Sequence, residues 1–239
     1  MAKTTKIQWT DSVFNPWIGC TKVGPGCDHC YAEGQDARKR WGGTTHWGSG
    51  VPRHRTSAAY WKQPLLWNEK QADLRRQGDA PPWNVFCASL ADVFDNEVNP
   101  LWRYDLFRLI EDTPNLSWLL VTKRIGNVAK MMHPSLFKNL PNIRILITVC
   151  NQEEADRDVP KLLALPCKNG ISYEPALARV SLVGYLCSPM ALDGWIIVGG
   201  ESGSKARPFD LQWPRDMITQ CRAAGVPVFC KQVGANAGT

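Results

Sequence analysis

Three cysteines fall close together, Cys20, Cys27 and Cys30, joined by a loop that carries Gly24, Pro25 and Gly26. Glycine and proline let a short chain fold back on itself, so this spacing can turn three sulfurs toward one point. The two-residue gap between Cys27 and Cys30 suits joint chelation, and the longer loop returns Cys20 to the same centre. A structural zinc is closed by four protein ligands, and His29 or His46 is available as the fourth. A [4Fe-4S] cluster on three cysteines instead leaves one iron open, free to chelate the amino and carboxylate groups of S-adenosylmethionine. Spacing leaves both readings open, along with a third in which the thiols are unligated core residues.

These thiols need a scaffold, and the chain has the means to build one. Its 239 residues, 44% hydrophobic and 21% charged, are those of a globular chain able to bury a core, and a single domain over 1–239 is expected. No apolar run approaches the roughly 20 residues that span a bilayer, and the N-terminus has no signal-peptide pattern. The expected location is therefore cytosolic, where nine cysteines serve as ligands and core residues rather than as disulfides. A formal charge of +6 is compatible with a polyanionic partner without requiring one.

Short apolar runs bounded by turn residues predict strands at 84–90, 117–122, 144–149, 170–173, 195–199 and 227–230. Ile7 and Trp9 alternate like an edge strand, and Trp17 to Cys20 reads as a first strand that delivers Cys20 to its end. Helices are predicted at 31–41, from Asn99-Pro100 to about Asp112, at 126–132, after the Asn151 cap and at 210–224. About seven strands with helices between them give an α/β fold, a complete or partial TIM-like (β/α) barrel, with an open doubly wound sheet as the other option. Residues 42–80 read as a Trp/Arg-rich insertion or lid after the first helix. Its arginines, interleaved with rings, either grip nucleic acid or are solvated above packed tryptophans.

A parallel barrel gathers its site at the C-terminal ends of its strands. Just past the predicted strands stand Ser89 and Asp92, Lys123 and Arg124, Cys150 and Asn151, Glu174, Glu201 and Ser202, and Lys231 and Gln232. Mixed charges of this kind can hold a zwitterion or form structural ion pairs. In Val198-Gly-Gly-Glu-Ser-Gly203 the two glycines admit a ligand or another backbone, and the carboxylate can accept from an ammonium group. Cys87, Cys150 and Cys230 are scattered and read as core thiols, with Cys150 kept as a possible extra ligand.

Several stretches together resemble a phage-borne, radical-SAM-like three-cysteine family whose members resemble the core of spore photoproduct lyase. They are Ile7-Gln-Trp-Thr-Asp11, Asn15-Pro-Trp-Ile-Gly-Cys20, Gly26-Cys-Asp-His-Cys-Tyr-Ala32, Tyr60-Trp-Lys-Gln-Pro64, Ser89-Leu-Ala-Asp-Val-Phe94, Leu119-Leu-Val-Thr-Lys-Arg124, Tyr173-Glu-Pro175, Val198 to Gly203 and Lys231-Gln-Val-Gly234. The resemblance implies that Cys20, Cys27 and Cys30 ligate a [4Fe-4S] cluster and that Gly199, Gly200 and Glu201 lie near the methionine moiety of S-adenosylmethionine. Ser89, Asp92, Lys123, Glu174 and Lys231 are further cofactor-binding candidates. Three features differ from the wider superfamily: six residues separate Cys20 from Cys27, His29 stands where an aromatic usually precedes the last cysteine, and Gly-Gly-Glu follows a late strand instead of the second. The expected activity is reductive cleavage of S-adenosylmethionine to a 5′-deoxyadenosyl radical, with an external electron donor and a nucleic acid or nucleotide as substrate. The other expectation is a non-catalytic zinc- or cluster-binding protein that contacts nucleic acid or a partner protein.

Overall fold

A computed structural model describes residues 5, 7–78, 80–186 and 194–238. The remaining residues, including part of the N-terminal lead-in, lie outside that description. The strands are β1 (Ser12–Val13), β2 (Trp17–Ile18), β3 (His54–Arg55), β4 (Trp83–Cys87), β5 (Leu116–Thr122), β6 (Ile143–Thr148), β7 (Lys168–Tyr173), β8 (Ile196–Gly199) and β9 (Val228–Gln232). The helices are α1 (Tyr31–Lys39), α2 (Ala58–Trp61), α3 (Gln63–Gln77), α4 (Pro100–Glu111), α5 (Ile125–Met131), α6 (Pro134–Asn139), α7 (Gln152–Leu163), α8 (Val183–Leu186) and α9 (Gln212–Ala224).

Seven strands form one parallel sheet in the order β1-β4-β5-β6-β7-β8-β9, a mixed α/β arrangement compatible with a partial TIM-like barrel. Continuous apolar runs make this possible, because each central strand is covered on both faces and hides nearly every side chain. By contacts the chain divides into two compact units. One comprises Met1–Thr21, Ala32–Val121 and Lys130–Arg144; the other comprises Lys22–Tyr31, Thr122–Ala129 and Ile145–Thr239.

In the first unit Phe14 is fully buried, stacked on Tyr60 and edge-on to Trp61 and Trp118. Trp118 donates its indole N–H to Thr113 Oγ1, so the ring is buried with its polar edge satisfied. Two expectations change here. Ile7 to Trp9 is a turn, and Trp9 packs on Phe86. The strand of the main sheet is β1, whereas β2 leaves it and pairs antiparallel with β3. Asn15 and Pro16 separate the two. The Asn15 side chain bonds Ser89 Oγ and accepts the Leu90 N–H, turning the chain out of the sheet.

The segment 42–80 is more regular than its composition suggests. It contains β3, α2 and the fifteen-residue α3, which has Pro64 in its first turn and buries Trp67 and Gln71. Leu, Glu, Lys, Gln, Ala and Arg follow the proline, all good helix formers, and Gly78 ends the run.

In the second unit Asn151 caps α7 as expected, its side chain accepting the Glu154 N–H at 2.9 Å. Tyr173, Ile196, Ile197, Val198, Phe209 and Met217 form its core. Cys87 and Cys150 are buried, but Cys230 is exposed, a correction to its reading as a core thiol. The reason is position: β9 is an edge strand, and its residues are only partly covered.

Candidate cofactor site

Cys20 follows β2 in the first unit, where its carbonyl accepts the Gly48 N–H at 2.9 Å. Cys27 and Cys30 belong to the second unit. Their loop tightens into a single 3₁₀ turn over Pro25–Cys27, closed by Cys27 N–H donating to Gly24 O at 2.9 Å, and α1 begins right after Cys30. Cys27 is buried, and Cys20 and Cys30 are half-buried. By donor type the three cysteines fit an iron–sulfur cluster. Among the described residues no three His, Cys, Asp or Glu groups stand together as a metal-holding set.

The second unit packs the cysteine loop tightly. A Cβ on Gly26 would lie 2.4 Å from Cys150 Sγ and 3.3 Å from Lys123 Cε, so only glycine fits against that thiol. Burial, reinforced by the Glu154 carboxylate, pushes the Cys150 thiol up to about 12, which keeps it neutral and makes it a packing group. Lys123 Nζ lies 3.5 Å from Thr148 Oγ1, and both line a small cleft with Gly24, Glu154 and Arg157.

Glu201 is where the loop and the β8 end meet. Its carboxylate accepts the Arg207 guanidinium at 2.5 Å and 3.1 Å, the Arg207 backbone N–H at 2.8 Å and His29 Nδ1 at 3.0 Å. Burial alone would raise this carboxyl. The Arg207 bonds, side chain and backbone, together with His29, more than reverse that and bring it down to about 2. A carboxylate ionised at neutral pH only accepts, so Nδ1 of His29 is the donor in this bond. Arg207 also donates to Pro25 O at 2.7 Å and to Asp28 Oδ2 at 3.1 Å, both in the cysteine loop.

The two glycines before Glu201 have different neighbours. A Cβ on Gly200 would meet Val233 O at 2.8 Å and Gly234 Cα at 3.0 Å, so its missing side chain makes room for the protein's own backbone. Gly199 faces Glu174 with ordinary contacts of 3.4 Å, and Glu174 is paired with Lys231 Nζ at 2.5 Å. The fold thus brings together Glu174, Lys231 and Gly199, and joins Glu201 to the cysteine loop. Ser89 and Asp92 lie in the first unit after β4, Ser89 bonded to Asn15 and Asp92 accepting the Phe94 N–H.

His46 is also held by a carboxylate: Asp36 accepts its Nδ1 at 3.0 Å and its backbone N–H at 2.5 Å, all inside the first unit. The sequence reading missed Arg207 and Asp36. Nothing in their local spacing marks them.

Residues 4–238 match a family described as protein of unknown function, DUF5131. The chain belongs to the DUF5131 family. No curated protein matches it. Among solved structures, this DUF5131 chain is similar to a mutant spore photoproduct lyase with bound AdoMet and a dinucleoside spore photoproduct. The identity is 13% and the TM-score 0.49, over 73% of this chain and 48% of that one. The DUF5131 chain therefore spans about half the length of the lyase structure it matches. No helix among its described residues is long and apolar enough to cross a membrane.

Proposed function

We propose that this protein is an iron–sulfur enzyme of the radical S-adenosylmethionine type, with Cys20, Cys27 and Cys30 as ligands of a [4Fe-4S] cluster. When bound, such a cluster supplies the electron that breaks the sulfonium bond to C5′ of S-adenosylmethionine and yields a 5′-deoxyadenosyl radical. The observation that carries this reading is the 3.0 Å contact between His29 and Glu201, which ties the Cys27–Cys30 loop to the Gly-Gly-Glu strand end. The resemblance drawn from the sequence motifs pairs the same two features.

The chain's own residues have distinct tasks in this account. Glu201 spends its oxygens on Arg207 and His29, so it serves the cofactor by holding the cysteine loop. Within the second unit, Lys123 and Lys231 are the proposed cations for the methionine carboxylate and Glu174 the proposed acceptor for its ammonium group; Ser89 and Asp92 of the first unit are the remaining candidates. Gly199 leaves room beside Glu174.

The proposed substrate is a nucleic acid or nucleotide, and the electron comes from an external donor in the cytosol. Support comes from the net charge of +6 and from the exposed Arg38, Lys39 and Arg40, with Lys39 Nζ 5.4 Å from the Trp41 ring centre. Arg53 and Arg55 are committed elsewhere. Arg53 is buried against Asp95 and Thr21, and Arg55 pairs with Asp105 beneath Trp61.

A second reading, a non-catalytic zinc protein contacting nucleic acid or a partner protein, has one observation in its favour. His29 and His46 each turn Nδ1 to a carboxylate, the arrangement that leaves Nε2 for a metal. The test is anaerobic reconstitution with iron and sulfide, then incubation with S-adenosylmethionine and reductant. Formation of 5′-deoxyadenosine that is lost in Cys30→Ala supports the enzyme. A tightly bound zinc with no product supports the second reading.

A further inference from the structure

Arg207 makes four side-chain hydrogen bonds within the second unit, and they divide into two sets. Nε and Nη2 grip both oxygens of Glu201, at 3.1 Å and 2.5 Å, while Nη2 and Nη1 reach Pro25 O at 2.7 Å and Asp28 Oδ2 at 3.1 Å. The backbone N–H of Arg207 adds a third bond to Glu201 at 2.8 Å, so the guanidinium is anchored at its root as well as its head. Pro25 and Asp28 bracket Cys27. His29, one residue after Asp28, also bonds Glu201, at 3.0 Å.

We propose that Arg207 is a positioning residue that clamps the Cys27–Cys30 turn to the end of β8, so that both thiols are pre-arranged before any metal or cluster arrives. The functional importance of this clamp rests on the reading of Cys27 and Cys30 as ligands; the clamp itself does not. Only a planar fork with several donors can bridge a carboxylate, a peptide carbonyl and a second carboxylate at once. A lysine ammonium has three donors but on a single nitrogen, so it cannot reproduce the spread of the fork. The turn closes on itself through Cys27 N–H to Gly24 O at 2.9 Å and Asp28 N–H to Pro25 O at 3.3 Å, whereas the Arg207 fork and His29 tie it to the end of β8. Without the fork, the turn should open locally while the rest of the unit stays folded.

The experiment uses the full chain, reduced and free of metal, and follows iodoacetamide labelling of each cysteine by mass spectrometry. Cys230, exposed, and Cys87, buried, are internal references for open and closed thiols. The variant is Arg207→Met with Glu201→Gln, which breaks the fork without leaving a buried carboxylate unpaired. Labelling of the buried Cys27 is expected to rise by about tenfold while Cys87 stays protected, and Arg207→Lys is expected to fall between variant and wild type. Cys27 labelling no faster than wild type overturns the proposal. So does labelling of Cys87 at the rate of Cys230, which would make Arg207 a support of the whole fold instead of the turn. Labelling needs no cluster, so wild-type protein that fails to take up iron removes the proposed function and leaves the clamp standing. If both hold, the double variant also takes up at least about threefold less iron than wild type under limiting sulfide.

Discussion

The Nδ1 nitrogen of His29 lies 3.0 Å from Oε2 of Glu201, a contact between the cysteine motif and a strand end 172 residues later. Glu201 is buried, yet four donors, three on Arg207 and one on His29, hold it ionised far below the ordinary glutamate range. The contact therefore fixes the charge, the histidine tautomer and the course of the loop together.

Glu201 makes stability depend on acid. A carboxyl lowered on folding contributes fully above its unfolded value and loses that contribution as pH falls through its folded value. Here the window runs from the ordinary 4.5 down to about 2. The difference is worth about 3 kcal/mol. Urea unfolding at pH 6 and pH 2.5 should show wild type losing more stability than Glu201→Gln. Equal losses would contradict the assigned network.

Gly26 and Cys150 should be coupled. Gly26→Ala forces a Cβ toward Sγ at 2.4 Å and is expected to cost about 1–3 kcal/mol. Cys150→Ala removes that sulfur, so adding it should return about half or more of the loss. Additive effects in a double-mutant cycle by chemical denaturation would show that the loop does not press on the thiol.

The glycine pair should split. Gly200→Ala meets backbone at 2.8 Å and 3.0 Å that cannot move aside, and is expected to cost about 2–4 kcal/mol, whereas Gly199→Ala makes only ordinary contacts with Glu174 and should cost about 1 kcal/mol or less. Thermal melting of the two variants decides this. Similar melting temperatures would contradict the different surroundings assigned to the two glycines.

The Lys231–Glu174 pair, mostly buried, should obey the rule for lost partners. Lys231→Met leaves a carboxylate without its cation and is expected to cost about 1–2 kcal/mol, and Glu174→Gln added to it should recover part of that. Urea midpoints for the two single variants and the double measure it. A double variant less stable than either single would refute the pairing.

Much of the fold is legible in the sequence because buried parallel strands announce themselves as uninterrupted apolar runs, such as Ile143 to Thr148 and Ile196 to Gly199. Asn151 is legible as a cap for the same local reason. Helix α3 escaped notice because Trp61 and the glycines before it gave its neighbourhood an irregular look, although Pro64 and the helix formers after it were a usable signal. The strand-end carboxylates were legible as a set, but their partners were not. Arg207 is one arginine in a loop, and only the fold shows that it bridges Glu201 and the cysteine turn. Gly200 has the same lesson in reverse: a glycine that reads as room for a ligand is room for Val233 and Gly234.

The measurement that tests the central claim most directly is electron paramagnetic resonance of the anaerobically reconstituted, dithionite-reduced protein, with and without S-adenosylmethionine, alongside iron and sulfide analysis. The account predicts about four irons per chain and a reduced-cluster signal that shifts when S-adenosylmethionine binds, both lost in Cys27→Ala. Protein that takes up no iron but holds one zinc, or a cluster whose signal ignores S-adenosylmethionine, would contradict it.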